Sequence, residues 1–263
     1  MAISKVAVVG AGIMGEAMIY ALTRVGIESA NICIKEKRVE RETQLINRLG
    51  VGKGSISDAQ VVLLSVKPQD LDITLKEVNS ELSDGTLLVS ILAGVKCSMI
   101  EKIVGSRARV VRVMPNTPIL LEEGMSVIAG GKNATKSDIE WVETLFAKSG
   151  KTLIVDEKLM DAVTATSGSG PAYFFRFIEA MIKAATRLGL SEEDSNLLVN
   201  QTFIGAAKMI EKSGKDAETL RKEVTSPSGT TAAALASFES SGLEEIVYKA
   251  MKAAKDRSEE LSN

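Results

Sequence analysis

KVAVVGAGIMG, residues 5–15, is the stretch from which the fold can be read. Five residues rich in apolar and β-branched side chains lead into Gly10-x-Gly12-x-x-Gly15, and an apolar periodic segment, residues 13–25, follows without a gap. The order is strand, tight turn, helix. In such a loop the first glycine permits the turn and the second lets backbone approach a pyrophosphate. The third lets the helix pack on the strand, leaving free helix N–H groups facing the anion. Glycines also mark ordinary turns, so the flanks carry the reading. A second apolar strand follows at residues 32–34, and Glu36 lies about twenty residues past the last glycine, where a carboxylate meets a ribose 2′-hydroxyl.

The rest of the chain narrows the possibilities. At 263 residues, 45% hydrophobic, it has the length for a substantial core and for two domains. A formal charge of −2 without a Lys/Arg block leaves no electrostatic footprint for nucleic acid or an anionic membrane. No run of about 18 apolar residues occurs, and the first residues lead directly into a strand, so a cytoplasmic location is expected. Two cysteines, Cys33 and Cys97, imply no disulfide framework. Histidine is absent, which removes His-assisted nucleophilic catalysis, and two cysteines alone cannot close a zinc site. No metal is expected.

Strand and helix patterns alternate up to residue 156. A helix is predicted over residues 38–49, a buried strand at 60–66 (QVVLLSV), a helix over 70–82 and another buried strand at 86–92 (TLLVSIL). A short helix at 98–104, a strand at 108–114, a stiff Pro-Asn-Thr-Pro turn, a strand at 125–129, a helix at 137–149 and a strand at 151–155 complete this part. Such alternation predicts a doubly wound, mainly parallel Rossmann-type sheet. From residue 157 on, only helical periodicity remains: 159–188 interrupted at Gly168-Ser169-Gly170-Pro171, a helix entered at Ser191 with Asp194 three residues on, and helices at 216–222, 230–240 and 243–261. The expected domains are therefore 1–156, dinucleotide-binding, and 157–263, all-helical.

Three further stretches stand out chemically. In RVMPNTP, residues 112–118, two prolines hold Asn116 and Thr117 at the carboxyl edge of the sheet, where ligands bind in open α/β folds. An amide there can orient a nicotinamide or simply close an Asx-type turn. In GSGPAYFF, residues 168–175, Pro171 suits a helix start with Ser169 as its cap, while the small residues equally allow a close helix crossing. In VTSPSGTT, residues 224–231, five hydroxyls crowd around one proline and one glycine just before a helix. Capping explains one hydroxyl, not five, and the loop suits a carboxylate. Two features are weaker. Tyr248-x-x-x-Lys252 has the spacing of a short-chain dehydrogenase pair but lies on the final helix. Lys67, ending a strand beside Pro68, fits cofactor contact or strand termination better than catalysis.

Taken together, GAGIMG, SVKP at 65–68, SILAGV at 90–95, RVMPNTP, DAVTATSGSGPAYFF at 161–175 and VTSPSGTTAAAL at 224–235 resemble the pyrroline-5-carboxylate reductase family, in the family's order and over nearly the whole chain. The resemblance implies reduction of the cyclic imine 1-pyrroline-5-carboxylate to L-proline by NADP- or NAD-linked hydride transfer, the last step of proline biosynthesis. It also implies a homodimer interlocked through the helical domains, sometimes assembled into a ring of dimers. Position by position, it implies that Gly10, Gly12, Ile13, Met14 and Gly15 meet the pyrophosphate, that Val66, Lys67, Pro68, Ala93 and Gly94 line the cofactor, and that Asn116 faces the nicotinamide. Ser226, Gly229, Thr230 and Thr231 would hold the substrate carboxylate, with Thr231, the catalytic residue, reaching the imine nitrogen. One departure stands out: Ser228 occupies a position that is usually glycine in the family, which bears on the loop's conformation and on the size of ring it accepts.

The inventory of side chains fits imine chemistry. A protonated imine is already electrophilic, so hydride transfer needs positioning and a proton rather than a metal or strong nucleophile. A β-hydroxyacid dehydrogenase, the enzyme alternative, needs a lysine at the start of the long helix, and none occurs between Pro171 and Lys183. A non-catalytic dinucleotide sensor is the alternative of another class. Glu36 favours NADH by repelling a 2′-phosphate, whereas Lys37 and Arg38 favour NADPH, so use of both cofactors is expected.

Overall fold

The computed structural model describes residues 3–261, the side chain of Pro68 excepted. Its framework is an eight-stranded sheet in the order β3-β2-β1-β4-β5-β6-β7-β8. The strands are β1 (Val6–Val9), β2 (Ile32–Lys35), β3 (Gly52–Lys53), β4 (Val61–Leu64), β5 (Thr86–Ser90), β6 (Ala108–Met114), β7 (Gly124–Gly130) and β8 (Gly150–Ile154). Helices α1 (Ile13–Arg24), α2 (Val39–Leu49), α3 (Leu71–Glu81), α4 (Cys97–Val104) and α5 (Lys136–Ala147) alternate with them. Every residue of β1, β4 and β5 is buried, as the unbroken apolar runs require of parallel strands covered on both faces. One core cluster gathers Met18, Ile19 and Leu22 of α1 with Phe146 of α5, while another gathers Leu71, Leu75 and Val78 of α3 with Ile100 of α4.

All strand pairs are parallel except β6–β7. The link between those two holds only the Pro115–Pro118 turn and a 3-10 segment (Thr117–Leu121), with no crossover helix, and without one the chain can only reverse. Strand β3 carries no sequence signal, being two residues long.

Past the sheet, α6 (Met160–Val163) runs through a π turn (Thr164–Gly168) into α7 (Gly170–Arg187). Here the structure corrects the expected helix start. The Ser169 N–H bonds the Thr164 carbonyl at 2.8 Å with helical dihedrals, so Ser169 continues the helix and does not cap it. The small residue that matters is Gly168, where a Cβ would lie 2.5 Å from Cε of Met114, so the close approach is to the end of β6 and not to another helix. Helices α8 (Glu192–Ser213), α9 (Ala217–Glu223), α10 (Thr230–Ser240) and α11 (Leu243–Leu261) follow. Ser191 caps α8 through the Asp194 amide at 3.0 Å. Among the described residues no helix is long and apolar enough to cross a membrane.

The chain divides into two compact units: residues up to Ser169 together with those from Ala254 on, and Gly170–Ala253. In the second unit only Gly170, Ser195, Val199 and Leu220 are buried, while Phe175, Leu197, Ile210, Val224 and Ile246 each stay more than half exposed.

Within the first unit, Arg112 of β6 is 1% exposed. Its Nη1 lies 3.7 Å from Glu157 and its Nη2 3.7 Å from Asp161, and its Nε and Nη2 make no hydrogen bond among the described residues. The two carboxylates are thus the compensation for a buried cation. Removing one partner of such a pair is far costlier than the pair is stabilising. Asp161→Asn is expected to lower unfolding free energy by about 3 kcal/mol, the low end for a broken buried pair because Glu157 remains. A shifted urea midpoint at unchanged slope is the measurement.

Candidate active site

In the first unit the site begins where the strand order reverses, at the carboxyl ends of β1 and β4. Gly10, at φ +85°, accepts a conformation that a side chain resists, and a Cβ there would lie 2.7 Å from the Ser65 carbonyl oxygen. A Cβ on Gly15 would collide with the Gly10 carbonyl. Gly12 differs, since a Cβ there meets nothing within 4 Å. Protein packing therefore explains the outer two glycines, and the middle one leaves open space at the start of α1, where no side chain caps the helix. That opening fits a pyrophosphate, whose oxygens would accept from the free N–H groups of the first turn. Ile13, 70% exposed, and Met14, packed on the core, form that turn.

A cavity of about 460 Å³ adjoins it, lined among others by Gly12, Glu36, Ser65, Val66, Lys67 and Thr74. Glu36 accepts from the Ala11 amide at 2.9 Å and from the amide and Nε of Arg38 at 3.1 Å each. Burial pushes its carboxyl up, but the Arg38 side-chain and backbone hydrogen bonds and that of Ala11 outweigh burial and leave it below the ordinary value. The expected competition between Glu36 and Arg38 is thus an ion pair across the cavity wall. Lys37 Nζ lies 3.6 Å from Asp70, both exposed. Ser65 and Thr74 were not legible as lining residues: Ser65 sits inside an apolar strand pattern and Thr74 on the apolar face of α3. The Pro68 side chain lies outside the described residues.

Ala93 and Gly94 follow β5, with Gly94 buried at φ +70°. A Cβ on Gly94 would lie 2.7 Å from Cβ of Leu261, so the loop is backed by the end of α11. Asn116 is tied at both ends. The Met125 amide donates to its Oδ1 at 2.8 Å, and its Nδ2 donates to the Ser167 carbonyl at 3.1 Å. These partners lie nine and 51 residues along the chain, so this is no local Asx turn, and among the described residues one Nδ2 hydrogen is left without a partner.

In the second unit, residues 224–231 enter α10. The Gly229 amide donates to the Ser226 carbonyl at 3.1 Å, closing a turn with Pro227 and Ser228 at its centre. Ser228 has φ +60°. A turn with proline first and positive φ second is the type II arrangement, which favours glycine at the second place. At Gly229 the conformation is not one reserved for glycine, and a Cβ there would displace Oγ of Ser226. It is the N-cap of α10 and supplies no side-chain cap, so the N–H groups of Thr230 and Thr231 open the helix uncapped. Of the five hydroxyls, that of Thr225 is used inside the protein, donating to the Arg221 carbonyl at 2.6 Å. The loop thus gathers amides and hydroxyls at a helix N-terminus, the kind of end that favours an anion.

Residues 157–261 match the family model described as pyrroline-5-carboxylate reductase dimerisation, and residues 5–94 match the one described as NADP oxidoreductase, coenzyme F420-dependent. The pyrroline-5-carboxylate reductase of Pseudomonas aeruginosa is 38% identical over 268 residues, covering 100% of this chain and 98% of that protein. The chain belongs to the pyrroline-5-carboxylate reductase family. The structure of the Coxiella burnetii reductase matches with a TM-score of 0.91 at 33% identity over 100% of both chains. That of the Plasmodium falciparum reductase with NADP bound matches at 0.85 and 32%, covering 99% of this chain and 98% of that one.

Because Ser228 stands in a left-handed conformation without glycine's freedom, Ser228→Gly is expected to raise unfolding free energy by about 1 kcal/mol. Thermal unfolding at matched protein concentration measures it.

Proposed function

We infer that this chain reduces the cyclic imine 1-pyrroline-5-carboxylate to L-proline with NAD(P)H, the final step of proline biosynthesis. The observation that carries the reading is the uncapped start of α10 behind the Ser226–Gly229 turn, a donor cluster suited to an amino-acid carboxylate, on a chain that also carries the Gly10–Gly15 cradle. In this assignment the Gly10, Gly12, Ile13, Met14 and Gly15 segment holds the pyrophosphate, and Glu36, Lys37 and Arg38 meet the ribose end. Val66, Lys67, Pro68, Ala93 and Gly94 flank the cofactor, and the free Nδ2 hydrogen of Asn116 serves its nicotinamide.

When bound, NAD(P)H supplies the hydride that adds to the imine carbon. Ser226, Gly229 and the amides of Thr230 and Thr231 hold the substrate carboxylate, which fixes the ring plane and the face presented. The Thr231 hydroxyl donates to the ring nitrogen as its lone pair develops. No group needs to ionise at the reacting carbon, which suits a chain without histidine. The ion pair of Glu36 with Arg38 leaves neither free to reject a cofactor, which supports use of both NADH and NADPH.

We assign the dinucleotide-binding role to residues 1–156 and the substrate-binding and dimerisation role to 157–263. The compact units divide later because the helix from Met160 to the π turn rests on the sheet, where Met160 packs with Val127 and Ala129. Homodimerisation is supported by the match to the dimerisation model and by the exposed apolar helices of the second unit, and a ring of dimers would be a further step. A cytoplasmic location is supported by the two free cysteines.

Consumption of NADPH and NADH dependent on pyrroline-5-carboxylate is the direct assay, and an inactive chain refutes the assignment. Thr231→Val keeps the shape and removes the donor. Turnover is expected to fall roughly ten- to a hundredfold, since a hydrogen bond involving a charged group contributes about 1.5 to 3 kcal/mol. Cofactor affinity should hardly move, and equal losses in both would dismiss the role given to Thr231. Light scattering on a size-exclusion column at micromolar concentration should show a dimer; a stable monomer of 28.0 kDa would refute it.

A further inference from the structure

The segment from Gly94 to Cys97 is enclosed by a closed circuit of contacts within the first unit. On one side, Leu261 of α11 covers Gly94, and the Ser258 carbonyl oxygen lies 3.2 Å from where a Cβ on Gly94 would sit. The Ser258 hydroxyl, on a residue 3% exposed, donates to Oδ1 of Asp161 at 2.7 Å. Asp161 faces Arg112 at 3.7 Å, and Arg112 faces Glu157 at 3.7 Å. Glu157 closes the circuit by accepting from the Cys97 amide at 2.6 Å. Cys97 is the first residue of α4, whose cap position, Lys96, offers no side-chain bond, so Glu157 serves that helix N-terminus from a distant part of the chain.

The circuit serves more than packing. A surface helix end needs no buried hydroxyl–carboxylate bond to stay folded. Nor does a loop after a strand need its glycine backed by the last helical turn of the chain. Here both occur at once, and they converge on the segment that follows β5. We propose that the end of α11, seated by Ser258 on Asp161 and by Leu261 on Gly94, is a positioning element that holds the Ala93–Gly94 loop in its cofactor-binding conformation. Ser258 and Leu261 touch no substrate and act through the loop. The proposal rests on the assignment of Ala93 and Gly94 to the cofactor made above.

The test is calorimetric titration of NADPH into the full-length protein without substrate, alongside the KM for the imine. Ser258→Ala removes one seat, and Leu261→Gly, which takes away the Cβ that meets Gly94, removes the other. Each is expected to raise the NADPH dissociation constant roughly five- to tenfold, the scale of one lost hydrogen bond or contact, with the imine KM within twofold of the parent. A lower unfolding temperature with unchanged NADPH affinity overturns the proposal, because the seat is then only structural. A parallel rise in NADPH dissociation constant and imine KM also overturns it, as general loosening. Ala93→Leu separates the two layers. If it leaves NADPH affinity intact, the loop does not line the cofactor and both assignments fall. If it weakens NADPH binding while the α11 variants do not, the positioning role alone falls.

Discussion

The close approach of Gly15 to the Gly10 carbonyl is the constraint on which the cofactor half of the molecule depends. With no side chain at either place, α1 can start immediately behind β1, and its first amides emerge beside the reversal in strand order. A methyl group at Gly15 would have to displace backbone, not a flexible side-chain tip. The same tight junction lets the Ala11 amide reach Glu36 beyond the neighbouring strand, so the glycine loop and Glu36 share one hydrogen-bonded frame. Everything farther out, including Val66 and Lys67, is placed relative to that frame by strand pairing.

Local patterns in the sequence carried most of the architecture. The strand runs at β1, β4 and β5, the Ser191 cap and the entry to α10 all depend on residues within a few places of one another. Such signals survive any tertiary context. What escaped was set by distance along the chain. Arg112 reads as one residue of an apolar strand until Glu157 and Asp161 come to face it, and Ser258 reads as an ordinary helix-surface serine until Asp161 buries it. The ties of Asn116 could not be read because its partners, Met125 and Ser167, sit on other elements. The π turn escaped because Gly168-Ser169-Gly170-Pro171 has the composition of a break, whereas the fold uses its small size beside Met114.

The two units use the same device in different ways. Both rest on a helix N-terminus left without a side-chain cap, at Gly12 and at Gly229. At Gly12 the surrounding space is empty of protein, which suits a large diphosphate. At Gly229 the Ser226 hydroxyl fills the glycine's open side, leaving a narrower set of donors. Backbone amides cannot be titrated, so the donors at both helix starts keep their character at any pH.

The second unit, with four buried residues, has a further consequence for how the protein comes into being. Helices without a core of their own do not hold together as a lone body, because burial of apolar area is what offsets the entropy of ordering the chain. In a homodimer the missing core is the partner's helices, so completing this part of the fold is a second-order process whose rate depends on how often two chains meet. The nucleotide-binding unit, with its own buried strands, can form first on each chain. Dilution of such a dimer would not merely separate two finished subunits; it would return the second unit to an earlier stage of assembly.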